Sequence, residues 1–380
     1  MGAMSGELAH TRLLALMAAG LLLVHSAAGP GCDEPQDDDT SDDDDTGDDD
    51  TGDDDSADDD TADDDTSGDD DTTPGDAFDL LAVCDVMAEL HPDAFDPPGS
   101  GSEGYSPPPG FVTDGVATSI ATLIEGQGAA ALESLDGTSY QLCRGSGDES
   151  EVALWRSDEP GNGRALVAWR RGPARPLIMG VPHSQLELVT LEQAVTAFER
   201  LELRALVVSG THRCANAGPS DCEGTSPACS GEEGPFRESD MAHVVDSVFQ
   251  AAHVALATAH DEDWVLSLHG MDLSGISVSD GTTFDAVLGT PSALLGTALM
   301  DAFPGEWVTS CNAWPGAVVE ERLCGTFNVQ GRLINGSVDP CGASASLSAG
   351  RFVHVEQSAT VREYPDLLIG ALDDAIPTAR

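Results

Sequence analysis

The sequence PLIMGV at residues 176–181 decides the fold, because a short run of buried-type residues forms a strand that is apolar on both faces. Two similar runs follow, ALVVS at residues 205–209 and WVLSL at residues 264–268. Helical periodicity lies between them, at residues 191–201 and 239–257. Continuous apolar strands that alternate with helices are typical of a sheet covered by helices on both faces. We therefore predict an α/β fold with a mixed, mainly parallel sheet.

Further elements are predicted on both sides of this region. Three β-type runs at hairpin spacing precede it, so N-terminal β-hairpins join the sheet; they lie at residues 139–144, 151–156 and 165–170. The remaining predicted elements are helices at residues 78–90, 116–132, 291–303 and 365–376, and strands at residues 306–311 and 351–357. We assign residues 77–380 to one folded domain, with a helix and hairpin part at residues 77–172 and a core at residues 173–380.

The chain is strongly acidic, with 68 Asp and Glu against 16 Lys and Arg and a formal net charge of −52; all its basic residues are arginines. A polyanion cannot bind nucleic acid by releasing counterions and is repelled by an anionic membrane surface, which excludes both partners. Almost half of this charge lies at residues 33–71, in repeated Asp-rich units that contain no large apolar side chain. Such a segment cannot bury enough apolar surface to fold. We interpret residues 32–76 as a disordered linker.

The N-terminus has the features of an export signal. Residues 13–24, LLALMAAGLLLV, form an apolar run that is too short to span a bilayer as a helix. The residues that follow resemble a bacterial lipoprotein signal, in which residues 1–31 are removed as the signal peptide and Cys32 is lipidated. Ordinary cleavage after Ala28, which gives a soluble secreted protein, is the alternative. Eight further cysteines predict up to four disulfides in an extracytoplasmic protein that reaches the membrane only through a lipid anchor.

Histidines and a glutamate stand at the ends of predicted strands or within them. His183 follows the first strand, His269 follows the third, and the late strand FVHVEQ places His354 and Glu356 on one face. Two histidines and a carboxylate are the ligand set of a catalytic zinc that keeps one position open. A further glutamate is what a general base for water requires. The alternative is structural: the histidines are hydrogen-bonded strand-end residues, and Glu356 pairs with Arg362.

Three short motifs resemble those of the N-formylglutamate amidohydrolases, which share the zinc carboxypeptidase fold. Val-Pro-His183-Ser is similar to P-H-S-G, FRESDMAH at residues 236–243 to Y-R-P-Y-H, and Leu-His269-Gly-Met to D-C-H-S-M. The order of His183, Glu187, His269 and Glu356 along the chain also resembles the order of ligands and base in zinc carboxypeptidases. The resemblance covers about residues 176–370.

The resemblance implies that zinc is the cofactor and that its ligands are His183, Glu187 and His269. It also implies that Glu356 is the general base, and that Arg213 grips a substrate carboxylate through its bidentate fork. The sequence departs from the motifs at three places. Glu187 stands four residues after the first histidine instead of three, Leu precedes the second histidine, and Gly270 replaces Ser. These departures leave the third ligand open between Glu187 and Asp272.

Other residues are candidates for contacts with the substrate, namely Asn216, His243 and Arg362. A serine hydrolase is excluded because the chain contains no G-x-S-x-G nucleophile elbow. We therefore predict an extracytoplasmic zinc hydrolase with its catalytic domain at residues 77–380. Its expected substrate is an N-acyl amino acid or a peptide that bears a carboxylate. The alternative is a non-catalytic surface binding module on the same fold, and the sequence leaves the oligomeric state open.

Overall fold

The structure of the protein is a computed structural model that describes residues 76–94, 97–159, 161–286 and 288–379. The predicted signal peptide, the lipidation site at Cys32 and the linker up to residue 75 lie outside the described residues. Among the described helices, none is both long enough and apolar enough to cross a membrane.

A ten-stranded mixed sheet forms the centre of the described chain, and two further strands form a small separate ribbon. The strands are β1 (Ala82–Val83), β2 (Tyr140–Arg144), β3 (Val152–Ser157), β4 (Leu166–Arg170), β5 (Arg175–Val181), β6 (Leu203–Val208), β7 (Thr225–Ser226), β8 (Gly234–Pro235), β9 (Trp264–Met271), β10 (Ile276–Ser279), β11 (Val308–Ser310) and β12 (Phe352–Ser358). Their order in the sheet is β1-β2-β3-β4-β6-β5-β9-β12-β10-β11. The four central strands β6, β5, β9 and β12 are parallel, whereas β4 and β10 flank them in the antiparallel direction.

Helices cover both faces of this sheet. They are α1 (Val86–Leu90), α2 (Gly110–Ile124), α3 (Gly128–Glu133), α4 (Thr190–Arg200), α5 (Val248–Ala259), α6 (Pro291–Ala302), α7 (Val329–Ile334), α8 (Ala359–Arg362) and α9 (Pro365–Ala375). Alternate residues of β5 point into two different cores, as the pleat of a strand requires. Leu177 and Met179 pack with residues of α4, α6 and α9, and Ile178 packs with residues of α2 and α5.

The predicted fold class is confirmed by this arrangement. The predicted apolar runs form β5, β6 and β9, and the three predicted hairpin strands form β2, β3 and β4 close to their expected bounds. Parallel pairing places the carboxyl ends of β5, β6, β9 and β12 at one edge of the sheet. Side chains that follow these strands are therefore brought together even though they are far apart in sequence.

The helix predicted at residues 239–257 is wrong in its first half. Helix α5 begins at Val248, and Ser247 caps it by accepting a hydrogen bond from the backbone N–H of Gln250. Residues before the cap form turns, and their polar groups bind elsewhere: the Ser239 hydroxyl donates to the carbonyl oxygen of Arg213 at 2.9 Å. Tertiary hydrogen bonds thus override the helical periodicity of this stretch.

Two other predicted helices are also corrected. The segment 116–132 divides into α2 and α3, because Gly126 adopts a φ of 79° and ends the first helix. The segment 78–90 contains only the short helix α1 after a 3-10 turn, Ala77–Leu80, and the edge strand β1. Strand β1 pairs with β2, and the disulfide from Cys84 to Cys143 fixes that pairing.

All eight cysteines of the described chain form disulfides, as their even number predicts. The pairs are Cys84–Cys143, Cys214–Cys229, Cys222–Cys341 and Cys311–Cys324. Three of them tie down the long connections that follow β6 and β11. The walls at this edge of the sheet are therefore covalently braced loops.

Candidate metal centre

Two histidines and a glutamate converge at the carboxyl ends of β5 and β9. His183 lies two residues after the end of β5, and His269 lies in the last part of β9. Backbone N–H groups of Leu186 and Glu187 each donate to the carbonyl oxygen of His183 at 3.0 Å. This turn brings the Glu187 carboxylate back over His183. A spacing of four residues therefore places the two side chains together here.

The distances within this group fit a metal ion. Nδ1 of His183 is 2.7 Å from Oε1 of Glu187 and 3.2 Å from Nδ1 of His269. Oε2 of Glu187 is 3.4 Å from Nδ1 of His269. Ligands about 2.0 to 2.1 Å from a tetrahedral zinc lie about 3.3 Å apart. The two separations from Nδ1 of His269 are close to this value, and the 2.7 Å separation between His183 and Glu187 is that of a hydrogen bond. The three side chains are buried, so these atoms face one another and not water.

Asp240 holds the far side of the His183 ring. Its Oδ1 lies 2.7 Å from Nε2 of His183. Burial raises the pKa of Asp240, but the positive charge of Arg213 and the neighbouring histidines outweigh burial and hold that pKa well below its usual range. An ionised carboxylate only accepts hydrogen bonds, so Nε2 of His183 carries a proton, and Nδ1 is the ring nitrogen that faces the cluster. Carboxylates in this outer position are usual for metal-binding histidines.

His269 is held by a neutral pair of side chains. Its Nε2 lies 2.8 Å from Oγ of Ser267, and Nδ2 of Asn328 donates to the same hydroxyl oxygen at 3.2 Å. Asn328 is itself fixed, because its side-chain oxygen caps α7 by accepting from Gly331. The ring of His269 is thus oriented with Nδ1 toward His183.

Arg213 is bound to Asp240 through most of its guanidinium. Nε and Nη2 both donate to Oδ2 of Asp240, at 3.0 and 2.5 Å. The remaining terminal nitrogen, Nη1, lies 3.5 Å from Nδ1 of His183 and 3.8 Å from Oε1 of Glu187. The bidentate fork predicted for a substrate carboxylate therefore faces Asp240, and Nη1 alone faces the cluster.

Glu356 reaches the cluster from β12. The parallel register of β12 and β9 sets Glu356 beside His269. Burial raises the pKa of Glu356 well above its usual range, and the nearby Glu187 carboxylate raises it further. His354 lies on the same face of β12; its Nε2 is 3.7 Å from Oε1 of Glu356, and its ring centroid is 4.5 Å from that of His269.

Gly270 and Arg362 complete the support of Glu187. The backbone N–H of Gly270 donates to Oε2 of Glu187 at 2.9 Å. A Cβ at position 270 would lie 1.5 Å from Nη1 of Arg362, and this nitrogen donates to the carbonyl oxygen of Gln357 at 2.9 Å. A side chain at this position, where the resembled motif has Ser, would therefore require the Arg362 guanidinium to move.

Other residues predicted from the sequence have different surroundings. The amide of Asn216 is used to join loops, through hydrogen bonds with the backbone of Tyr105 and the carboxylate of Glu238. Asp272 is exposed beyond β9 and belongs to no metal-compatible group of the described residues, so Glu187 is the carboxylate that accompanies the two histidines. His243 lines the cavity described next.

The cluster opens into a cavity of about 450 Å³. His183, His269, Arg213 and Glu356 lie at its base. Its walls come from braced loops, and the residues that line it include 225–227 and most of the segment 321–328. A water molecule and a small organic substrate fit a cavity of this size.

No family model and no curated protein sequence matches the chain. Among solved structures, the chain is similar to a candidate metallopeptidase of Shewanella amazonensis, at 15% identity and a TM-score of 0.32 over 70% of this chain and 95% of that one. A bacteriophage poly-γ-glutamate hydrolase is similar at 15% identity and a TM-score of 0.30, over 57% of this chain and 91% of that one. A metallo-carboxypeptidase of Pseudomonas aeruginosa is similar at 12% identity and a TM-score of 0.31, over 55% and 59%. The function proposed below rests on the geometry of the cluster and on none of these similarities.

Two residues of the site, Asp240 and Ser267, were not predicted from the sequence. Asp240 lies in the stretch predicted as helix, where an acidic residue near a helix start needs no further explanation. Its signal was the run Arg-Glu-Ser-Asp in the motif at residues 236–243. Ser267 precedes the predicted ligand His269 by two residues in a strand, and this spacing places both on one face.

Proposed function

We propose that the chain is a metal-dependent hydrolase of an amide or peptide bond, with zinc as its metal. The observation that carries this proposal is the convergence of two Nδ1 atoms and one carboxylate on a single buried point at the base of a cavity. His183, His269 and Glu187 would hold the ion. Two imidazoles and one carboxylate are the donors of a catalytic zinc site that keeps one position open.

Zinc bound at this point supplies Lewis acidity, which polarises a carbonyl group and lowers the pKa of water. Glu356 is placed to accept a proton from the attacking water and to donate it to the leaving amine. Burial beside Glu187 raises its pKa. A raised pKa suits a carboxyl group that must accept a proton and then release it near neutral pH.

Arg213 has a role that differs from the predicted one. Because Asp240 accepts from Nε and Nη2, only Nη1 is directed at the point where His183 and Glu187 meet. A fixed positive charge there stabilises negative charge that develops on the carbonyl oxygen during the reaction. We therefore assign Arg213 to the reacting bond and not to a carboxylate elsewhere in the substrate.

The location of the protein is part of the proposal. Four disulfides fit an extracytoplasmic protein, because disulfides persist in oxidising compartments. We propose export through residues 1–31, lipidation at Cys32, and a linker that separates the enzyme from the membrane, with no nucleic-acid partner. Mass spectrometry of the mature N-terminus tests this: a lipid-modified Cys32 supports it, and an unmodified N-terminus at residue 29 contradicts it.

The hydrolase is tested with the full chain and a panel of N-acyl amino acids and dipeptides. The expected result is about one zinc per chain by elemental analysis, with hydrolysis that stops on chelation and returns on adding zinc. Zinc binding without hydrolysis of any panel member supports the alternative of a non-catalytic binding module. A purified chain that binds no zinc overturns the proposal.

A further inference from the structure

A row of aromatic rings leads from the metal centre to the mouth of the cavity. The ring of His243 stacks near His183, with centroids 6.4 Å apart and planes inclined by 22°. Phe236 stacks on His243 at 3.7 Å and 13°, and Phe327 meets Phe236 edge-on at 6.1 Å. All four rings line the cavity. We call His183, His243, Phe236 and Phe327 the aromatic row.

The outer end of the aromatic row is exposed and yet held in place. Phe327 is 46% exposed, whereas Phe236 is 4% exposed. The guanidinium of Arg332 lies 4.9 Å from the centroid of Phe327. Arg332 is buried and donates to the carbonyl oxygens of Thr326 and Cys341, at 2.7 and 3.1 Å. An aromatic ring fixed from behind and open to the cavity on its other side is a preformed contact surface for an apolar group.

The surrounding loops are shaped to the aromatic row. Gly224 has a φ of 133°, and a Cβ there would lie 2.2 Å from Phe236 and 3.0 Å from Phe327. This glycine belongs to the loop that the disulfide Cys222–Cys341 ties to the segment after Phe327. Since the backbone approaches both rings this closely, the loop and the row are packed as one wall.

The loop around Leu323, which also lines the cavity, is fastened to the sheet. The hydroxyls of Ser277 and Ser279 on β10 donate to the carbonyl oxygens of Arg322 and Cys324, at 2.5 and 2.6 Å. Between these two anchors Leu323 has a φ of 53° and is 47% exposed. A left-handed backbone is costly for leucine, so the anchored loop holds this side chain at the cavity against a local preference.

The charges of the cavity favour an uncharged group on this surface. Arg213 is the only arginine among the described residues that line the cavity, and its fork is bound to Asp240. Glu321, on the same loop as Leu323, also lines the cavity; it is exposed and would repel a carboxylate. A carboxylate placed on the aromatic row would therefore lose its hydration without gaining a free positive partner.

We propose that the aromatic row is a specificity subsite for an uncharged aromatic or large aliphatic group that flanks the scissile amide. This inference rests on the proposed function for the position of the scissile bond. The group is either the side chain of the amino acid that leaves or the acyl group that is removed. Phe327 is the residue that determines the preference, because it offers the most exposed apolar surface of the row.

The test compares substrates that share one scissile N-acyl bond. N-acetylalanine is the reference, N-acetylphenylalanine carries a benzyl group on the amine side, and N-phenylacetylalanine carries it on the acyl side. N-acetylaspartate carries a second carboxylate in its side chain. We expect one of the two aromatic substrates to exceed N-acetylalanine in kcat/KM by about tenfold, as burial of one ring requires. N-acetylaspartate should be the poorest of the four. Whichever aromatic substrate is preferred identifies the source of the group.

Phe327→Ala should lower this preference to about twofold, while Phe327→Leu should retain part of it. The matched control is Phe111→Ala, because Phe111 is 60% exposed and does not line the cavity. Thermal unfolding of each variant verifies that it is folded. A preference that survives Phe327→Ala, or a wild-type chain that favours N-acetylaspartate, overturns the proposal.

Failure of the proposed function is distinguishable from failure of this inference. If the full chain hydrolyses none of the four compounds, their dissociation constants are measured by ligand-observed NMR, which requires no turnover. The same tenfold ratio between an aromatic compound and N-acetylalanine, lost in Phe327→Ala, then supports the subsite without the hydrolase. Equal dissociation constants for all four compounds contradict the subsite.

Discussion

His183 and His253 are both buried histidines near β5, but their surroundings differ completely. His183 follows the end of the strand, and both its ring nitrogens lie 2.7 Å from carboxylate oxygens. His253 lies on α5 against Gly180, and among the described residues neither of its ring nitrogens has a hydrogen-bond partner. Burial is thus common to both, and the partners distinguish a candidate metal ligand from a residue of the core.

The pKa values of the two histidines show the same contrast. Burial lowers the pKa of His253 to about 3, and the charge of Arg351 contributes. Burial and the charge of Arg213 also lower the pKa of His183, but the carboxylates of Glu187 and Asp240 outweigh them and raise it above its ordinary value. Four experiments test whether the surroundings of His183 form a metal centre and those of His253 do not.

The largest difference is expected in metal content. His183→Ala should reduce bound zinc from about one per chain to near zero, because only two ligands remain. His253→Leu is the matched control, since it removes an equally buried imidazole, and it should retain zinc. Elemental analysis of dialysed protein measures both. Equal zinc content in the two variants would show that the cluster around His183 does not hold the zinc.

A second experiment separates metal binding from chemistry. Glu356→Gln keeps the shape of the side chain but removes the group that accepts a proton. We expect kcat to fall by about 10² to 10⁴ while zinc content stays at the wild-type level. Stopped or continuous assays on the preferred N-acyl amino acid measure kcat. An unchanged kcat would mean that Glu356 is not the base.

A third experiment concerns the outer partner that His183 has and His253 lacks. Asp240→Asn should weaken zinc affinity by about 10 to 100-fold, because the carboxylate that fixes the His183 tautomer is lost. Competition with a chromogenic chelator measures the affinity. Asp263→Asn is a control, because Asp263 is a buried carboxylate at the amino end of β9, away from the cluster at the carboxyl end, and pairs with Arg204 at 3.4 Å. Affinity that falls equally in both variants would contradict a specific role for Asp240.

The smallest effect is expected in stability. His253→Leu should raise the free energy of unfolding by about 1 to 2 kcal/mol at neutral pH, because two unbonded polar atoms leave the core. The effect grows in acid. Between the pKa of His253 near 3 in the folded chain and its ordinary value of 6.5, the unfolded state binds a proton that the folded state does not.

Wild-type stability therefore falls as pH decreases through this window, by up to about 1.4 kcal/mol per pH unit from this residue. Urea unfolding between pH 4 and pH 7 measures the slope. The His253→Leu variant should lose that part of the slope, and His91→Leu, a change at an exposed histidine, should not. Parallel curves for wild type and His253→Leu would show that His253 titrates normally in the folded chain.

The central sheet was predictable because its signal is local. A run such as PLIMGV cannot be a surface element, and its length suits a strand, so β5, β6 and β9 follow from composition and spacing. Parallel connection then places His183 and His269 at one edge without further information. Strand β10, with the sequence ISVS, instead alternates apolar and polar residues, and it has only four residues. At that length the pattern is too weak to predict a strand.

The outer residues of the site were not predictable for a different reason. Asp240 acts through contacts with residues 57 and 27 positions away in sequence, and nothing local indicates them. Helical periodicity in the same stretch favoured a surface helix instead. The role proposed for Arg213 differs from the predicted one for the same reason, since its fork is bound to a partner that the sequence does not reveal. The zinc ligands stay a prediction that the geometry supports and metal analysis must test.

Gly270 and Arg362 constrain how this chain can change over generations. Because the guanidinium fills the space of a Cβ at position 270, a substitution of that glycine requires the Arg362 side chain to move. Replacement of the arginine by a smaller residue opens the same space. The double variant Gly270→Ser/Arg362→Ala should therefore fold better than Gly270→Ser alone. The residue at position 270 and the position of the Arg362 side chain are therefore coupled.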